Sequence, residues 1–207
     1  GGSFNNNKSC SYGDVAATSF FPAKPLGCYG DGGAIFTNNI ELAEIFRSIR
    51  VHGQGVDKYD NIRLGLNSRL DTLQAVVLLN KLKIFDEELI LRNNIANTYS
   101  EKLESYLTIP YISSLNNSAW AQYSLLANSE EERNNLVSYL NKNGIPAVIY
   151  YKKIFSDLDL YRDININKEF SISSEISKRI FSIPMHPYLY DNEVHLITKF
   201  IADFYKK

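Results

Sequence analysis

The chain has 207 residues, 44% of them hydrophobic, enough to bury a core in one or two domains. Its 22 basic and 23 acidic residues leave a net charge of −1, which gives no support to a nucleic-acid surface or a polybasic membrane patch. No apolar run nears the roughly 18 residues of a spanning helix, no charged-then-apolar signal opens the chain, and Cys10 and Cys28 lack CxxC or metal-type spacing. The expectation is a cytoplasmic protein without a metal site.

Gly1–Gly13 (GGSFNNNKSCSYG) is turn-rich and runs into a strand expected over Asp14–Phe20. The stretch that follows, Ser19–Gly33 (SFFPAKPLGCYGDGG), holds Lys24 between Pro22 and Pro25 and then Gly27, Gly30, Gly32 and Gly33. The prolines restrict the backbone. Phe20 and Phe21 are expected to strip water from the amine and favour its neutral form, whose natural chemistry is imine formation with a carbonyl. The glycines permit close approach to a ligand, and Asp31-Gly32 reads as a tight-turn pair before the strand Ala34–Phe36. From spacing alone, the simpler account is a lysine whose stem lies over apolar surface beside an ordinary turn.

Glu41–Arg50 has helical spacing (Leu42, Ile45, Phe46, Ile49), with Asn39 as its cap. Val51–Asn67 is a polar, glycine-containing loop, too long for a simple connection. A helical pattern then runs from Arg69 to Leu107, through Leu73, Val76, Val77, Asn80 and Leu82 and on through Phe85, Leu89, Ala96, Tyr99 and Leu103. It forms one bent helix or two, ended by Pro110. The domain change is expected here, giving domains 1–107 and 108–207.

The second domain reads as a compact α+β unit. Its expected elements are a strand within Trp120–Ala127 and a helix opened by the capping box Ser129–Glu132 and stopped by Gly144. A second strand, Ile145–Tyr151, and an irregular aromatic segment, Phe155–Phe170, come next. A helix over Ser173–Phe181, an extended Ser182–Met185 and a last helix capped by Asp191, with Val194, Ile197, Ile201 and Phe204 on one face, complete it. Asp86–Glu88 and Glu130–Glu132 read as solvated helix faces.

The lysine segment resembles that of the DegT/DnrJ/EryC1/StrS sugar aminotransferases, whose pattern S-F-x-x-x-K-x-L-G-x-x-G-D-G-G it meets at every fixed position. The loop pieces RVHGQGVDKY and LGLNSRLDTLQA are similar to the same family's R-x-H-G…Y…G-x-N-x-R segment. The resemblance implies an α/β, type I aspartate-aminotransferase-like fold, here the end of the large domain, a linking helix and the small domain. It implies pyridoxal 5'-phosphate as cofactor, with Lys24 as the Schiff-base lysine and Ser19 on its phosphate. Asn67 would reach the phosphate of a neighbouring subunit, making the active form a homodimer with shared sites. Without the family, Asn67 reads as a helix cap. Arg69 would meet a carboxylate or phosphate of the substrates.

The implied reaction moves an amino group from glutamate to a nucleotide-linked keto-sugar, and the VHGQ loop and SIPMHPYL run resemble members acting on UDP-linked N-acetylated amino sugars. Tyr150-Tyr151 would border the sugar-nucleotide pocket, although Lys152–Ser156 departs from the family's frequent Y-P-x-P-L-H. A buried aromatic pair at a strand end is the plainer reading of those tyrosines. His52 and His186 are the histidines to nominate as bases, each more simply a structural loop residue, and His195 is a surface residue. Two other readings stand beside the enzyme. One is a sugar dehydratase of the same fold, whose members generally replace the lysine with histidine; the other is a non-catalytic regulatory domain. Family members are nearly twice this long and carry the acid for the pyridine nitrogen upstream of the lysine. The 207 residues alone are therefore expected to be inactive.

Overall fold

The computed structural model describes residues 1–161 and 170–206. They fall into two compact units, Gly1–Leu89 with Ser113–Ala119, and Ile90–Ile112 with Trp120 onward. The division falls inside a helix, between Leu89 and Ile90, where the sequence reading put the change after Leu107. Ser113–Ala119 returns to the first unit.

In the first unit, β1 (Ser3–Phe4), β2 (Asn7–Lys8) and a later β5 (Asn116–Asn117) form a small antiparallel sheet in the order β2-β1-β5. Left-handed Asn5 and Asn6 make its turn. β3 (Ala16–Ser19) pairs antiparallel with β4 (Gly33–Phe36), Ser19 opposite Gly33. Asp31-Gly32 leads into β4 and makes no two-residue turn, because the connection spans Phe20–Gly32. α1 (Ile40–Ile49) starts where Asn39 Oδ1 accepts the Leu42 N–H at 3.1 Å, the cap expected.

The long helical pattern is two helices, α2 (Thr72–Leu82) and α3 (Phe85–Leu103). On α2 the apolar stripe faces outward: Leu73, Val76, Leu79 and Leu82 are exposed, whereas Gln74, Ala75, Leu78 and Lys81 turn inward. The inward positions thus mix polar and apolar groups, and of the residues that marked the helical pattern Val77 is half-buried whereas Leu73, Val76, Asn80 and Leu82 are exposed. Glu88 of α3 is buried, only 8% exposed, which corrects its reading as solvated.

The second unit holds the main core. Ile95, Ala96, Tyr99 and Leu103 of α3 pack with β6 (Tyr123–Leu126), α4 (Glu130–Lys142), β7 (Ile180–Ile183) and α6 (Asp191–Tyr205), and α5 (Ser171–Arg179) precedes β7. β6 and β7 pair antiparallel from Tyr123↔Ile183 to Leu126↔Ile180. The expected strand Ile145–Tyr151 is a single bridge, Val148 to Ser182. Phe155–Asp157 and Asp159–Tyr161 are short 3-10 turns, and the rest of that aromatic segment, 162–169, lies outside the described residues.

Half of the expected capping box forms at α4. Ser129 Oγ accepts the Glu132 N–H at 3.1 Å, but the Glu132 carboxylate turns to the Asn128 side-chain amide and the Tyr205 hydroxyl. At α6 the cap is Tyr190, whose N–H donates to Glu193 at 2.8 Å, and Asp191 is the first helical residue. Arg133, 2% exposed, donates to the Ser177 and Ile180 carbonyls at 3.2 Å each and so fastens α4 to α5 and β7.

Tyr99 and Tyr123 sit at the centre of this core with ring centres 5.1 Å apart. The Tyr99 hydroxyl donates to the Pro184 carbonyl at 3.0 Å, and Tyr123 pairs with Ser100 at 2.8 Å. Burial pushes both phenols above the ordinary tyrosine value; the charges of Tyr123 and Glu193 add to the effect on Tyr99, and the Ser100 bond partly offsets it on Tyr123. The folded state thus holds two protons that the unfolded chain releases above about pH 10. Their contribution to stability is full below that pH and declines as pH rises beyond it. The expected result is a urea midpoint that falls between about pH 10 and 12. Tyr99→Phe should flatten the fall, and an unchanged slope in that variant would refute the assignment.

Candidate active site

The lysine segment is a closed loop hung on the β3–β4 pair. At its neck Phe20 N–H donates to Gly32 O at 2.8 Å, and Phe20 O receives the Cys28 N–H at 2.8 Å. The buried Cys28 thiol donates to Phe20 O at 3.1 Å and Gly30 O at 3.0 Å, which makes it an internal tie of this loop. Lys24 N–H donates to Phe21 O at 2.8 Å, setting the turn that carries the amine.

The Lys24 side chain is exposed and makes no hydrogen bond or ion pair among the described residues. Phe21 is itself 51% exposed. The expected aromatic cover over the amine is therefore not supplied by these neighbours; the prolines and the neck shape the loop but leave the lysine open. Ser19, the last residue of β3, accepts the Phe21 N–H on its Oγ at 3.2 Å, which leaves its own O–H to donate elsewhere.

The second constellation is built at the end of α1. Leu66 N–H donates to Ile49 O at 2.7 Å, His52 N–H to Leu66 O at 2.9 Å and Ser68 N–H to Arg50 O at 2.9 Å, with Val51 bridged to Asn67. The loop between closes on two glycines. A β-carbon at Gly53, which has φ +74°, would lie 1.8 Å from Arg63 O, and one at Gly65 would lie 1.9 Å from the Gly53 nitrogen. Only bare backbone fits this crossing.

Asn67 and Arg69 leave it side by side and exposed. Asn67 Oδ1 accepts from Arg69 Nη2 at 2.8 Å and Nε at 3.2 Å. With its acceptor engaged by the guanidinium, Asn67 turns its amide N–H groups outward, and the pair offers a donor-rich, cationic edge suited to phosphate or carboxylate. The cap of α2 is Asp71, so Asn67 is not a helix cap.

Tyr150 and Tyr151 belong to the second unit, where their rings meet edge to face at 5.5 Å and Tyr151 is 71% exposed. The reading as a buried strand-end pair does not hold. His52 occupies a left-handed position and its carbonyl receives the Asn61 amide at 2.8 Å; His186 Nδ1 accepts the Tyr188 N–H at 3.2 Å. Both make local turn contacts, and His195 is exposed. The structure thus brings Ser19, Lys24, Asn67 and Arg69 into one unit. It adds two residues the sequence reading passed over, Gln74 and Lys81, which bond to the lysine loop. Their seven-residue separation, two helical turns, was the available signal.

The chain belongs to the DegT/DnrJ/EryC1/StrS aminotransferase family, which it matches over residues 1–202, and it has that family's α/β fold. It is 41% identical over 207 residues to the UDP-2-acetamido-2-deoxy-3-oxo-D-glucuronate aminotransferase of Pseudomonas aeruginosa, covering 95% of this chain and 54% of that protein. It is 33% identical to a pleiotropic regulatory protein of Geobacillus stearothermophilus, covering 100% of this chain and 56% of the relative. A crystal structure of a family aminotransferase from Brucella abortus superposes with a TM-score of 0.95 at 45% identity, over 100% of this chain and 55% of that one. The chain spans about half the length of the relatives it matches.

Proposed function

We propose that the full-length protein is a pyridoxal-phosphate-dependent aminotransferase that moves an amino group from glutamate to a UDP-linked, 2-acetamido keto-sugar. The observation that carries this is the Lys24 amine, exposed and unengaged on a loop whose every fixed family position is kept. The Pseudomonas relative's name supports the sugar class.

The residues fit the cofactor. Lys24 offers the primary amine its aldehyde needs, Ser19 an O–H free to donate to phosphate, and Asn67 outward amide donors for the phosphate of a partner's site in a homodimer. When bound, the cofactor supplies an electron sink for breaking a bond at the donor's α-carbon. Lys24 Nζ is the base that takes the donor's α-proton, so neither His52 nor His186 is required. Arg69 pairs with a substrate carboxylate or phosphate through its planar fork, and Tyr150 and Tyr151 border the sugar nucleotide.

The test is amino transfer from glutamate by the full-length protein, loaded with pyridoxal phosphate, to UDP-linked 2-acetamido-3-keto sugars, with product read by mass spectrometry. Product, together with a visible band of lysine-bound cofactor near roughly 410–430 nm that glutamate bleaches, is expected. A folded, loaded protein with neither would leave the regulatory reading, favoured by the name of the Geobacillus relative.

A further inference from the structure

α2 reaches the lysine loop with two polar side chains. Gln74 Oε1 accepts the Tyr29 N–H at 2.8 Å, and Lys81 Nζ donates to the Gly27 carbonyl at 2.7 Å while lying 5.3 Å from the centre of the Tyr29 ring. Gln74 and Lys81 stand on the same face of α2 and are both partly buried. They grip the loop at Gly27 and Tyr29, on either side of Cys28, which is itself bonded to Phe20 at the neck.

The grip is transmitted to Lys24 through backbone alone. Gly27 packs so tightly on the turn before it that a β-carbon there would lie 2.6 Å from Phe21 O and 2.7 Å from Pro22 O. Phe21 O in turn accepts the Lys24 N–H at 2.8 Å. No flexible side chain separates the Lys81 ammonium from that turn. A displacement of Gly27 therefore moves Phe21 and Pro22 directly, and Lys24 with them.

We infer that Gln74 and Lys81 are positioning residues for Lys24, a clamp from α2 that fixes where its amine meets a carbonyl carbon. This rests on the proposed function, since it assigns the clamp to that same lysine. Neither residue needs to touch substrate or cofactor. Gln74 acts as an acceptor for an otherwise unpaired N–H, and Lys81 joins a charge-assisted donor with a cation–π contact. Loss of either leaves Lys24 chemically intact and worse placed, and in a near-attack geometry a displacement of about 1 Å costs up to about 100-fold.

The experiment is covalent labelling of the full-length protein with pyridoxal phosphate and cyanoborohydride, the adduct located by peptide mass. Lys24 Nζ adds to the aldehyde carbon, water leaves, and cyanoborohydride delivers hydride to the carbon of the protonated C=N bond, leaving a stable secondary amine. Wild type should label Lys24 ahead of its other lysines. Lys81→Met and Gln74→Ala should each label Lys24 about tenfold more slowly and lower kcat with KM for glutamate unchanged, while their other lysines label as in wild type. Lys81→Arg, which keeps the donor and the ring contact, should restore the rate. Equal Lys24 labelling in wild type and both variants overturns the clamp and leaves the proposed function standing. Failure of wild type itself to label Lys24 selectively overturns both. Should Gln74→Ala not fold, Lys81→Met decides the matter alone, because it keeps the apolar stem and removes only the bond to Gly27 and the contact with the Tyr29 ring.

Discussion

Lys24→Ala in the full-length protein is expected to lower amino transfer at least about 10³-fold in kcat while leaving the unfolding free energy within about 0.5 kcal/mol of wild type. The two halves of that result come from one observation. The Lys24 side chain is exposed and takes no part in any hydrogen bond or ion pair among the described residues, so its removal opens no cavity and strands no partner. The loop is shaped by main-chain bonds at Phe20, Phe21 and Cys28 and by the Lys81 ammonium on the Gly27 carbonyl, all of which alanine at position 24 preserves. In the proposed mechanism what is lost is the nucleophilic amine and the base that follows it, and Ser19, Asn67 and Arg69, proposed to bind, carry no group that would move a proton from carbon. Chemical denaturation and single-turnover kinetics on the same sample check both halves. A variant with near wild-type turnover would remove Lys24 from the mechanism; one that unfolds would show that the lysine is structural.

Gly65→Ala should act in the opposite manner, through structure first. An added methyl would sit 1.9 Å from the Gly53 nitrogen and 2.3 Å from the His52 carbonyl carbon, both main-chain atoms that cannot swing aside. The cost expected is about 3 kcal/mol, the upper end for overpacking, because the two strands of the crossing must part. Parting them breaks the bonds from Leu66 and Ser68 to the end of α1, which aim Asn67 and Arg69. We therefore expect a lower denaturant midpoint together with at least a tenfold rise in KM for the substrate whose carboxylate or phosphate the proposal assigns to Arg69, about the effect of losing one charge-assisted hydrogen bond. A midpoint equal to wild type would mean that the loop relaxes around the methyl, and the crossing would lose its claim to position the pair.

Much of this was legible in the sequence because the signals were local. Asn39 before α1, Ser129 before α4 and the face Val194, Ile197 and Ile201 on α6 each follow from neighbours within one or two turns, and the structure has them as expected. The lysine motif was legible for another reason: its glycines and prolines stand at fixed spacing whatever surrounds them. Reading failed where tertiary contact decides. The inward side of α2 is set by Gln74 and Lys81 meeting a loop more than forty residues earlier, and no apolar period encodes that. Glu88 looked solvated because its composition is acidic, and its burial depends on packing. Ile145–Tyr151 has the residues of a strand, yet it meets Ser182 at one position only.

The segment closed by Gly53 and Gly65 behaves as a lasso with a knot and a noose. The knot is main chain against main chain. Beyond it, Gln54 and Asn61 face each other, and the noose from Val56 to Asp60 carries exposed Val56, Lys58 and Tyr59 on a turn closed by Asp57 and by the Gly55–Asp60 backbone bond. The close approach at the two glycines is main chain against main chain, and the Asn61 side chain on the His52 carbonyl adds to it. Val56 and Lys58, exposed and outside the fixed positions of the family segment, are therefore the natural places for sequence to vary without disturbing Tyr59, the two glycines or the Asn67–Arg69 edge.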